Sequence, residues 1–176
     1  MSDKFTPKPI AEYIEETFDR ADFDEKQWQL LHWCKNVEGC NNCLERPDIA
    51  ESPNMIKALK RIRVRLNASI YSCVDDFDHE CLICLIHYEE VRDEVSTRTY
   101  RATRTKASGR KRGWKQMIIN TVSKRNAEYA DGFVVLKAHG LLEASFENFV
   151  VDNHTHFDEV VVSTARKRLQ DAGYLK

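Results

Sequence analysis

Apolar positions recur at helical spacing along most of the chain, and turn chemistry fills the gaps between the stripes. Ile10, Tyr13, Ile14, Thr17 and Phe18 follow Pro9 at three- and four-residue intervals, which predicts a short amphipathic helix with proline as its first residue. Asp24 stands where an N-cap belongs, with Gln27 as its capping-box partner. Trp28, Leu31, Cys34 and Val37 then form the stripe of a second helix that should stop at Gly39. Residues 39–52 contain Gly39, Asn41, Asn42, Pro47 and Ser52 without apolar periodicity and read as turns. Ser52 and Pro53 open the longest expected helix, along Ile56, Leu59, Ile62, Leu66 and Ile70, with Lys57, Lys60, Arg61, Arg63 and Arg65 on its other side.

Beyond the acidic turn DDFDHE, the run ECLICLIHYEEV is almost continuously apolar, which suits a buried helix or a strand. The good helix formers of YEEVRDEV favour the helix. Gly109 and Gly113 bracket Arg110, Lys111 and Arg112 and predict a loop, followed by a helix from near Trp114 that uses Met117, Ile118, Thr121 and Val122. FVVLKAH, ASFENFVVDN and DEVVVSTARKRLQDAG are three further helix-sized units. The expected class is mostly α, a helical bundle with a small C-terminal helix-turn-helix-like unit. Its expected divisions are a cysteine-containing helical domain over residues 1–96, a basic loop over 97–113 and a helical segment over 114–176.

Composition narrows the class. Hydrophobic residues make up 42% and charged residues 31%, an ordinary balance for a folded protein, and 176 residues bury enough surface to fold without disulfides. No stretch approaches the roughly 18–20 apolar residues that cross a bilayer. MSDKFTPKPIAEY lacks the apolar core of a secretory leader. The expectation is a cytoplasmic protein with no membrane partner, whose six cysteines are thiols or metal ligands rather than a disulfide framework.

Charge adds a partner. Formal net charge is only -1, yet Arg98, Arg101, Arg104, Lys106, Arg110, Lys111, Arg112 and Lys115 crowd one stretch with no acidic residue between them, beside Tyr100 and Trp114 as stacking surfaces. Lys and Arg that displace condensed counterions supply the affinity for phosphate backbones, and aromatic rings stack on bases, so nucleic acid is the expected partner. The same run would also suit an acidic protein surface, and a solvated basic segment would look alike. Residues 1–51, by contrast, hold twelve acidic against six basic side chains.

Two CxxC pairs, Cys40 with Cys43 and Cys81 with Cys84, have the spacing that lets both sulfurs reach one tetrahedral ion, and a structural Zn²⁺ is the expected cofactor. Local sets are the alternatives: His32, Cys34, Cys40 and Cys43 for one ion, or Cys73, His79, Cys81 and Cys84 for another. An iron–sulfur cluster would use the same ligands. Cys81 and Cys84 lie among Leu82, Ile83, Leu85 and Ile86, where cysteine also serves as a small hydrophobe.

Near the C-terminus, VVLKAHGLL, SFENFVVDN and VVVSTARKRLQDAGYL succeed one another as helix, helix and helix. This last third resembles the helical part of a winged helix-turn-helix DNA-binding domain, without the wing strands. The resemblance implies a third helix lying in the major groove and implicates Ser163, Thr164, Arg166, Lys167 and Arg168, which favours DNA over RNA. A generic helical hairpin with Val161, Ala165, Leu169 and Ala172 in its core is the plainer reading.

Catalytic signals are weaker. Asp75, Asp76, Asp78 and Glu80 around His79 would serve a metal-dependent nuclease, though an acidic turn capping helices explains them as well. His154 and His156 near Asp152 and Asp158 would serve as a metal or general-base site, but a polar interhelical turn is the better account of them. No glycine-rich phosphate loop, nucleophile elbow or HExxH helix occurs.

Overall fold

A computed structural model of the chain describes residues 5–95, 102–123 and 131–175, and Arg98, Tyr100 and Arg101 lie outside them. Among the described residues there are eleven α-helices, three short 3-10 helices and no strand. The chain divides into two compact units, residues 1–72 and 73–176.

The first unit contains α1 (Ile10–Thr17), α2 (Glu25–Trp33), α3 (Val37–Leu44), α4 (Pro47–Ala50) and α5 (Pro53–Ala68). The capping box forms as the sequence predicts, with Asp24 accepting from the Gln27 backbone N–H and the Gln27 side chain accepting from the Asp24 N–H. Pro9 is the N-cap of α1 rather than its first helical residue. The second expected helix breaks before Gly39, because Asn36 accepts a hydrogen bond from the Gly39 N–H at 2.7 Å and starts α3 afresh. Residues 39–52, expected as turns, therefore carry α3 and α4. In α5, Met55, Ala58, Leu59 and Ile62 face a core that includes Ile14, Leu31 and Ile49. Each fully buried Leu or Ile of this kind contributes about 1.5–3 kcal/mol. Ile70, expected on the same stripe, lies past the helix end and is 78% exposed.

The second unit is built around α6 (Asp76–Val95), whose near-continuous apolar run is a buried helix, as the flanking helix formers favour. It is followed by α7 (Thr103–Arg112), α8 (Trp114–Val122), α9 (Asp131–Ala138), α10 (Phe146–Asp152) and α11 (Glu159–Asp171). Helix α8 starts at Trp114, as read from the sequence, whereas the stretch expected as a basic loop is helical from Thr103 to Arg112. A single residue, Gly113, joins α7 to α8 with φ +89°, a left-handed conformation that glycine adopts without penalty. Gly109 lies flat under Trp114, where an added Cβ would come within 2.1 Å of the indole ring.

Two buried carboxylates of α6 anchor this hairpin. Asp78 Oδ1 accepts from the backbone N–H groups of Trp114 at 2.6 Å and Lys115 at 3.0 Å, capping α8. Glu89 accepts from the Ala102 N–H at 2.6 Å, capping α7, and its other oxygen pairs with Lys106 at 2.5 Å. Helix starts carry orphan N–H donors and a positive dipole end, so a carboxylate is the matching partner at each.

Candidate nucleic-acid interface

Helices α7 and α8 enclose an open groove of about 410 Å³. Arg104, Ser108, Lys111 and Arg112 follow one another at four-, three- and one-residue steps, which puts them on neighbouring rows of one helical face. Asn120 and Thr121 come from the facing helix, Met117 lies at the base, and none of the described lining residues is acidic. Three guanidinium or ammonium groups beside hydroxyl and carboxamide side chains form a setting suited to phosphate oxygens. The Thr121 hydroxyl donates to its own helix at Met117 O, and the Asn120 carboxamide oxygen accepts from Gln116.

The basic run is thus sorted by the fold rather than displayed as a whole. Arg104, Lys111 and Arg112 line the groove, and Arg110 is exposed on α7. Lys106 is largely covered and committed to Glu89. Lys115 stands over the rings of Phe77 and Phe157 at 5.8 and 5.9 Å, a cation–π arrangement. Trp114, expected as a stacking surface, is 1% exposed and belongs to the core, because Gly109 lets α7 close over its ring. The positive N-terminus of α8 is filled by Asp78, so attraction of an anion here rests on side chains.

In α11, Ser163, Arg166 and Lys167 are exposed, while Thr164 is partly covered. The hydroxyls of Ser163 and Thr164 both donate back to Val160 O. Arg168 instead reaches Glu147 of α10 at 2.9 Å in a buried ion pair. Burial raises the Glu147 carboxyl above the ordinary range even though the hydrogen bond from Arg168 pulls it down. Of the apolar face Val161, Ala165, Leu169 and Ala172, the first three are buried and Ala172 is partly covered.

The cysteine pairs fall in different units. Cys81 and Cys84 are buried on α6, where burial first, and then Asp78 for Cys81 and Cys81 for Cys84, raises their thiols. In the first unit Cys34, the C-cap of α2, lies with its Sγ 3.6 Å from Cys43 Sγ of α3 and also hydrogen-bonds to Cys40. His32 is engaged with Glu15 at 3.0 Å and with the Trp28 carbonyl. Among the described residues, no three His, Cys, Asp or Glu side chains stand ready-grouped around a metal position.

Asp78 caps α8, and Asp75 accepts from the Asp78 N–H at 2.7 Å in the first turn of α6, the capping roles available to an acidic turn. His154 and His156 occupy a 3-10 turn, with His156 stacked on Phe77 at a centroid distance of 3.8 Å. The two helix-anchoring carboxylates are what sequence reading missed. An acidic residue inside the apolar run, such as Glu89, was the available signal.

No protein-family model, no curated protein and no solved structure matches this chain.

Proposed function

We propose that the chain is a nucleic-acid-binding protein whose α7–α8 hairpin captures the phosphate backbone. The observation that carries this reading is the groove of Arg104, Lys111 and Arg112 with no acidic side chain among its described lining residues, in a chain whose overall charge is -1. A general excess of positive charge does not account for it. Such contacts give affinity and register without reading sequence. Ser163, Arg166 and Lys167, exposed on α11, are the residues through which a duplex would be read, in keeping with DNA as the favoured partner.

Fluorescence anisotropy with duplex DNA, single-stranded DNA and RNA over a series of salt concentrations tests the proposal, with wild type beside an Arg104→Gln/Lys111→Gln/Arg112→Gln variant. Each lost phosphate contact on B-DNA lowers the log–log salt slope by about 0.9, so the variant is expected to lose up to about 2.7 in slope. Equal slopes for variant and wild type, or no binding at low salt, would overturn the groove as the capture surface. Arg166→Gln/Lys167→Gln separates the second contribution, through reduced discrimination between duplex sequences.

A further inference from the structure

The two walls of the α7–α8 groove differ in chemistry, and a phosphate backbone matches only one of them. On α7, the side chains of Arg104, Ser108, Lys111 and Arg112 have no hydrogen-bond or ion-pair partner among the described residues. On α8, Gln116 occupies the Asn120 carboxamide oxygen at 3.1 Å, and the Thr121 hydroxyl proton goes to Met117 O at 2.8 Å. What remains on that wall is the amide N–H donors of Asn120 beside a Thr121 oxygen with unused lone pairs. We propose, resting on the reading of this groove as a phosphate-capturing surface, that it takes one unpaired nucleotide of a nucleic-acid strand. The phosphate lies on the α7 wall and the base on the α8 wall.

Met117 precedes Asn120 and Thr121 by one helical turn, so one face of α8 presents a thioether and, about 5 Å further along, a donor beside an acceptor. A base offers the complement, an apolar face bounded by an edge that carries both donors and acceptors. Sulfur makes favourable contacts with aromatic rings, and Met117 takes the part denied to Trp114, whose ring is closed into the core. Met117 is the floor of the groove. The exposed Ala107 and the stems of Lys111 and Arg112 add apolar contact from the opposite side.

The α8 wall also decides the pairing state. Within a duplex, each base gives its pairing edge to its complement and its faces to its neighbours, so a backbone groove meets mainly phosphate and sugar oxygens. Those acceptors suit Arg104, Lys111 and Arg112, but they oppose the Thr121 oxygen and offer Met117 nothing apolar. A nucleotide released from its stack satisfies both walls at once. At about 410 Å³ the groove falls in the range of roughly 300–1,000 Å³ that holds one small organic ligand, which is room for one nucleotide rather than a run of them.

The test uses the full-length chain carrying isotope-labelled methionine methyl groups, titrated at low salt with a short single-stranded DNA, its blunt duplex and an abasic strand of equal length. NMR follows the methyls, and fluorescence anisotropy follows binding of the same probes. The single strand should move the Met117 methyl upfield through the ring current of a base, with little movement from the abasic strand or the duplex and none at Met55 in the first unit. Equal movement from the abasic strand, or none from a bound single strand, overturns the base contact and leaves phosphate capture standing. Equal movement from the duplex overturns the need for an unpaired nucleotide. If none of the probes binds, phosphate capture fails and this inference fails with it. A second measurement uses Asn120→Ala/Thr121→Val, checked for folding by circular dichroism. It should weaken single-strand binding about 5- to 10-fold, the scale of a lost hydrogen bond, and leave the abasic strand unchanged. Equal weakening of both probes by the folded variant would rule out base recognition by these two side chains.

Discussion

Residues 5–72 and the described part of residues 73–176 fill their interiors by different means. The first unit buries hydrocarbon, aromatic rings and sulfur, and every buried polar or charged side chain among the described residues belongs to the second: Asp78, His79, Glu89, Arg92, Ser145 and Glu147. The first unit is thus held mainly by non-directional area burial. The second spends interior volume on carboxylates whose partners are helix ends and basic side chains. That arrangement fixes where α7 and α8 begin, and so which cations of the basic run face the groove and which are consumed inside. The lesson is that the charges withheld from the surface set the geometry of those left on it.

The sharpest way to break this contrast is Arg168→Met, which strands the Glu147 carboxylate against an apolar neighbour. Loss of one partner from a buried pair costs about 3–5 kcal/mol, read as a drop in stability by urea denaturation at neutral pH. Because Glu147 is raised in the folded protein, its contribution is full below the unfolded carboxyl value and is lost as pH rises through the folded value. Mildly acidic buffer should therefore restore part of the Arg168→Met loss, and a deficit that does not change with pH would argue against a stranded charge.

Leu59→Ala asks the corresponding question of the first unit, where a fully buried leucine is removed from the α5 face. The expected cost is about 2–5 kcal/mol, set by the cavity left behind. It should be indifferent to pH over the range that moves Arg168→Met, and a pH-dependent loss would blur the distinction between the units.

The smallest effect sharpens the comparison by its sign. The Arg46 guanidinium beside Asp48 holds that exposed carboxyl down at about 2. Its contribution is present above the ordinary aspartate value and disappears as pH falls through about 2, the reverse of Glu147. Following the Asp48 carboxyl by NMR should show that low midpoint in wild type and a return toward the ordinary value in Arg46→Gln.

Local signals carried most of the helices into the sequence reading. The Asp24–Gln27 box, Pro53 at the head of α5 and Trp114 at the head of α8 are decided by residues a few positions apart, and such decisions survive folding. The failures share a physical cause as well. Residues 39–52 look like turns because Asn and Gly favour them, yet Asn36 provides a cap and the α5 surface offers Ile49 a place to bury. The basic stretch looks like a loop because Gly109 and Gly113 bracket its Arg110, Lys111 and Arg112. It is helical because Glu89 caps its start, Lys106 pairs beneath it and Gly109 packs on Trp114, and all three partnerships are with residues outside its own helix. For the candidate interface, composition could name the cations but not divide them between groove and interior, since that division depends on α6, at least ten residues distant in sequence for each anchor. Of the local set His32, Cys34, Cys40 and Cys43 read from spacing, the structure brings the Cys34 and Cys43 sulfurs to 3.6 Å through a helix break, while His32 is engaged with Glu15 and the Trp28 carbonyl.

The one-residue connection at Gly113 makes the hairpin tolerant of changed side chains and intolerant of changed length. Replacing a lysine or arginine in the groove alters a charge and leaves the backbone alone. One inserted residue after Gly113 would rotate the face of α8 by about 100° relative to α7, carrying Met117, Asn120 and Thr121 away from the cations opposite them. Variation by substitution is therefore open to this surface, whereas variation by insertion or deletion at the turn would dismantle it.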